Sequence, residues 1–145
     1  TGQLIEDLNY IPDFAIIAID NGGKIDTVEY NRQLSYSDDE RKQQELVLQD
    51  LKLAFANRND AEIAFCASRA TSLHANRLGS EFHRDSLSFG HRVGALGVIA
   101  AHSGTCVGIL MPGNTPDQDI LSIADYFHRN LDRETFSCRT LKYAP

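Results

Sequence analysis

Between Arg69 and Arg92 the chain carries an unusual set of side chains. Arg69, Arg77, Arg84 and Arg92 alternate with His74, His83 and His91, with no lysine and only Glu81 and Asp85 as acids. A guanidinium presents a fixed fork of N–H donors that matches a carboxylate or phosphate in bidentate fashion. Histidines placed among such forks add a response to pH near neutrality. These seven residues are the candidate ligand-binding set, for a small anionic molecule or the acidic surface of a partner protein. The same residues also read as a solvated segment that pairs with the chain's own acids. Residues 1–60 hold twelve acids against six bases, and surface ion pairs are common and weak. An enzyme would draw on His83, Asp85 and His91 as acid–base groups of this segment.

A second stretch, His91 to Asn114, reads HRVGALGVIAAHSGTCVGILMPGN. It invites a hydrolase reading through His102, Ser103 and Cys106. His102 and Ser103 are adjacent, however, and neighbours on a strand point to opposite faces. No G-x-S-x-G elbow occurs. The stretch is better read as the centre of a β-sheet, and no catalytic residue is assigned. The five histidines form no H-x-x-x-H or H-E-x-x-H, and there is no C-x-x-C, so no metal is expected. The glycines follow no nucleotide-loop spacing, and no cofactor is expected. The run DNGGKIDTVE lacks the ligand spacing of a calcium loop and reads as a hairpin.

These groups need a scaffold. At 145 residues, with 42% hydrophobic and 23% charged residues, the chain is expected to fold as one domain over residues 1–145. A net charge of −6 argues against nucleic acid as a partner, because that affinity comes from cationic neutralisation of phosphates. No apolar run approaches 18 residues, so no membrane span is expected. Cys66, Cys106 and Cys138 are odd in number, which favours a reducing, cytoplasmic setting.

The elements follow from periodicity. Gln3 to Asn9 suggests a short helix. FAIIAID, Phe14 to Asp20, reads as a buried strand. Asn21 to Gly23 is a tight-turn signal, with KIDTVEYN (24–31) as the returning strand. Ser37 to Asp60 is the best helix, with Ser37 and Glu40 as a capping box and Val47, Leu48, Leu51, Ala54 and Phe55 as its apolar face. Ala61 to Ser68 reads as a third strand. The segment from Arg69 to Arg92 is assigned a short helix at ATSLHANRL, and a strand or loop at DSLSFGHR. Val93 to Ala101 and Thr105 to Met111 form a hairpin about Ser103-Gly104. One of its faces is bulky and the other small, and the small one suits close approach of a helix or second chain. Thr115 is the expected N-cap of the last helix, with Pro116 in its first turn. The tail alternates weakly through Phe136, Cys138 and Thr140 and reads as an edge strand.

The expected fold is therefore α/β (α+β type): a five-stranded, mainly antiparallel sheet with helices on both faces. The element order, with the opening IPDFAIIAIDNGGKI, resembles the profilin-like sandwiches: roadblock modules and the GAF and PAS sensor domains. That resemblance implies a homodimeric, non-enzymatic sensor or regulatory module with a ligand pocket near residues 69–92. Its alternatives are a roadblock-like scaffold regulating a small GTPase and the small enzyme described above.

Overall fold

The computed structural model describes residues 6–22, 36–101 and 105–141. Strand β1 (Phe14–Asp20) forms where the apolar run was expected. Ala15, Ile17 and Ile19 are fully buried on one face, and Phe14 and Ala18 are buried on the other. A strand apolar on both sides belongs inside a sheet covered on both faces. β1 pairs antiparallel with β3 (Cys106–Pro112) along one edge and with β4 (Glu134–Arg139) along the other. Strand β2 (Gly97–Ala100) completes a four-stranded sheet in the order β2-β3-β1-β4. The expected five strands are thus four among the described residues. The returning strand over 24–31 and the turn at Ser103-Gly104 lie outside the described residues. Both edges of β1 are already taken by β3 and β4. Residues 6–9, within the short helix expected over Gln3 to Asn9, are not helical.

The β2–β3 hairpin has the expected register. Val98 faces Ile109, Ala100 faces Val107, Gly97 faces Leu110 and Ile99 faces Gly108. The bulky face packs on helices α3 (Glu81–Arg92) and α4 (Asp117–Leu131). There the rings of Phe89, Tyr126 and Phe127 meet edge to face, with centroids 5.7–6.4 Å apart. The small face receives α1 (Asp38–Ala56) and α2 (Asp60–Leu78), through Phe14, Leu110, Ala54, Ile63 and Ala64. Gly97 is the point of closest approach. A Cβ there would lie 2.0 Å from the carbonyl oxygen of Ala64.

The largest departure from expectation lies between α1 and β2. Ala61 to Ser68 is the first half of α2, not a strand. Asn59 caps it by accepting from the Glu62 N–H at 3.2 Å, and Asp60 and Glu62 favour its positive end. Its buried residues, Ile63, Ala64, Cys66, Thr71 and Ala75, recur at helical spacing past Arg69. Gly79 ends it in the left-handed region at φ 63°, where glycine avoids the steric cost of a Cβ. Ser80 then caps α3 at once, so DSLSFGHR is helical. At the last helix Pro116, not Thr115, is the N-cap. The Thr115 hydroxyl instead donates to the carbonyl of Pro112 at 2.6 Å. The chain order is β-α-α-α-β-β-α-β. Read with the sheet order, it is two interleaved split β-α-β units.

Candidate functional site

The α1 and α2 helices do not close completely on the sheet. Between them lies a cavity of about 700 Å³. That is within the size range of small-molecule sites. Phe14, Ile16 and Leu110 form its floor, and Val47, Leu51 and Ala67 stand on its helical walls. These positions follow from sequence periodicity: Val47, Leu51 and Ala54 share one face of α1, and alternate residues of β1 share one face of the sheet.

Tyr36, Glu40, Gln44, Thr71, His74 and Arg77 supply its polar side chains. The Arg77 guanidinium pairs with Glu40, Nη1 to Oε2, at 2.5 Å. It also lies 3.9 Å from the centre of the Tyr36 ring. Stacking on one side and a carboxylate in plane hold a guanidinium in a defined orientation. The Arg77 side chain is only 13% exposed, against 45% for Glu40. The cation is therefore the sheltered partner, and the carboxylate is the one that reaches water.

The seven sequence candidates divide among several environments. His74 and Arg77 line the cavity. His83 is buried behind them on α3, its ring edge-on to His74 at 5.5 Å. Its Nδ1 is 2.6 Å from Ser80 Oγ, and its Nε2 has no hydrogen-bond partner. Burial pushes its pKa below the ordinary histidine value. Arg69 faces α1 and pairs with Asp50 at 2.5 Å. Arg84, His91 and Arg92 are exposed on α3, with Arg92 lying 5.2 Å from the Phe89 ring centre. The structure brings His74, Arg77 and His83 together and leaves the other four apart. Sequence reasoning missed Tyr36, Glu40 and Gln44. The spacing of Glu40 and Gln44 places them on one face of α1, but Glu40 was already accounted for by the capping box.

Burial also pushes the Cys66 and Cys106 thiols up. Among the described residues, no group of three or more His, Cys, Asp or Glu is placed to hold a metal ion, and no helix is long and apolar enough to cross a membrane.

No family model matches the sequence, and no curated protein matches it. Solved structures do match. A mevalonate kinase from L. major superposes with a TM-score of 0.72 over 93% of this chain, at 10% identity. The chain shares its fold with part of that structure. A homoserine kinase from Cytophaga hutchinsonii matches at TM-score 0.61 and 15% identity over 90% of the chain. The Methanococcus jannaschii mevalonate kinase matches at 0.62 and 14% over 89%. The chain spans less than half of these structures, 40–44% of their length. These kinase-like matches overturn the resemblance to GAF, PAS and roadblock modules, and with it the sensor reading. The resemblance rested on element order, and that order changes once Ala61 to Ser68 is a helix.

Proposed function

We propose that this chain is part of a small-molecule kinase-like protein, with the α1–α2 cavity holding its small-molecule ligand. The observation that carries this reading is the superposition on the L. major mevalonate kinase over 93% of the chain. A fold hosts many chemistries, so the site must supply the rest of the support. Its lining is mainly apolar with a few polar side chains, Arg77 and Glu40 among them held in one ion pair, as in sites that orient a bound molecule. In kinases, catalysis is largely positioning and charge stabilisation rather than covalent chemistry by the protein. A mainly apolar pocket with a few polar side chains suits the positioning part of that task.

Two measurements test this. The first is phosphoryl transfer from a nucleoside triphosphate to a panel of hydroxyl-bearing compounds, mevalonate and homoserine included, by the intact protein. Transfer to a panel member supports the reading, and none across the panel counts against it. The second is thermal-shift binding of the same panel to the wild type and to Ala70→Trp, which narrows the cavity from an exposed position. A ligand at about 100 times its Kd stabilises the native state by ~2.7 kcal/mol. Stabilisation lost in the variant supports the cavity as the site. Stabilisation that survives the variant places the site elsewhere.

A further inference from the structure

His83 is a buried ionisable residue outside the cavity lining, 1% exposed. It sits in the first turn of α3, whose N-cap is Ser80. Ser80 serves it twice. The Ser80 Oγ accepts from the His83 backbone N–H at 3.3 Å, which is the cap bond of α3, and lies 2.6 Å from Nδ1 of the same residue. The cap of the helix and the anchor of the ring are thus one hydroxyl. The chain turns from α2 into α3 at this point. Gly79 is left-handed, the Ser80 N–H donates to the Ala75 carbonyl at 3.2 Å, and the Arg84 N–H donates to the Ser80 carbonyl at 3.3 Å.

The site of the ring suits a neutral imidazole and not its cation. A neutral ring carries a proton on one nitrogen, and the cation carries one on both. Nε2 has no hydrogen-bond partner, so in the cation a charged N–H would stand there unmet, and an unpaired buried charge is costly. The surrounding elements supply no counter-charge. From α2 come the His74 ring, 5.5 Å away, and Arg77 one turn further on, both basic. On α3 itself Glu81, Arg84 and Asp85 are exposed. Strands β2 and β3 carry no ionisable side chain apart from Cys106. On α4, Asp117, Asp119, Asp125, His128 and Arg129 are exposed. The N-terminal end of α3 adds a positive partial charge of its own.

We infer that the α2–α3 corner is an acid-sensitive latch: protonation of His83 drives its ring off the Ser80 anchor and opens the first turn of α3 while the sheet stays folded. The departing ring is the one packed edge-on to His74, and His74 lines the cavity, so the latch acts on the cavity wall beside it. This goes beyond the kinase-like reading and stands without it. In the open turn the ring regains its ordinary pKa of about 6.5, so the opening constant rises by up to about tenfold between pH 7.5 and 5.5.

Native-state hydrogen exchange of the whole chain at increasing urea tests the latch. The probes are the amides of Ser80, His83 and Arg84, and the references are those of Ile17 and Ile109, paired in the middle of the sheet. The probes are expected to exchange through an opening that low urea leaves unchanged, because a local opening exposes little surface. After correction for intrinsic exchange, its constant rises at least threefold from pH 7.5 to 5.5. His83→Phe and His83→Gln each remove that rise, and either variant suffices if it folds. Probes that exchange only together with Ile17 and Ile109, with the same urea dependence, overturn the latch. A local opening with the same constant at both pH values also overturns it, as does a rise that persists in a folded variant.

Discussion

Thr71 Oγ1 lies 2.8 Å from the carbonyl oxygen of Val98, a contact between α2 and the outermost strand of the sheet. One turn earlier on α2, Ser68 Oγ accepts from the Val98 N–H at 2.8 Å. Val98 is 2% exposed, so neither backbone group has water as an alternative. Thr71→Val keeps the shape and removes the donor. Leaving a buried carbonyl unsatisfied costs about 1–3 kcal/mol. Urea unfolding at neutral pH should show that loss with an unchanged m-value.

Gly97→Ala should be worse. The added methyl carbon would sit 2.0 Å from the Ala64 carbonyl oxygen, which belongs to helix backbone and cannot rotate aside. Overpacking of this kind costs roughly 3 kcal/mol. A thermal melt of the variant that overlays the wild type would show that α2 does not approach β2 this closely.

His83 makes stability depend on pH. Its folded pKa is depressed by burial, and in the unfolded chain it returns to the ordinary value. The unfolded state therefore binds more protons at mildly acidic pH. Stability from this residue is present above the ordinary histidine pKa of about 6.5 and is lost as pH falls toward the folded value. Unfolding free energies at pH 7.5 and 5.5 should converge in His83→Phe relative to the wild type. An unchanged difference would remove His83 as its source.

The thiols should react unequally. Cys138 is exposed, Cys106 is half-buried and Cys66 is buried, and all three are free. The thiolate is the reactive form, and burial raises the pKa of both Cys66 and Cys106. Ellman's reagent should titrate one thiol rapidly in the native protein and all three in denaturant. Three fast thiols in native conditions would contradict the packing of α2 and β3.

A surface pair provides the contrast. Arg129 and Asp125 form an i, i+4 ion pair on α4 with both side chains more than half exposed. Such pairs contribute about 0.3–0.5 kcal/mol on a helix. Arg129→Ala should shift the urea midpoint hardly at all, and the shift should vanish in high salt.

Much of this was legible in the sequence because local rules and tertiary packing agreed. β1, the β2–β3 register and the Ser37 cap follow from residue types at short range. α2 was not legible. AEIAFCAS is a short apolar run, and periodicity alone does not separate a buried strand from a buried helix. What decides for a helix is the continuation through Thr71 and Ala75, together with the Asn59 cap and Gly79 stop. A boundary placed at Arg69 hid both ends. The site was half legible for a related reason. Arg77 and His74 stood out as cationic residues in a basic segment. Their counterparts Tyr36 and Glu40 lie in an acidic region, and the Glu40–Arg77 contact joins residues 37 positions apart. Only the packing of α1 on α2 brings them together.

The helix side chains that finish Val98 have an outcome for how this sheet can grow. An unfinished strand edge is a template that recruits further strands. At β2, Ser68 and Thr71 occupy the outward backbone groups of Val98, so that rim offers no template there. Among the described residues the opposite rim is β4, six residues with five of them exposed. Its guard is ionic: Glu134 at its start, and Arg139 at its end, bonded to the carbonyls of Gly113 and Thr115. Among the described residues the sheet thus ends differently on its two flanks, in hydroxyl contacts to Val98 at one and in charged side chains at the other.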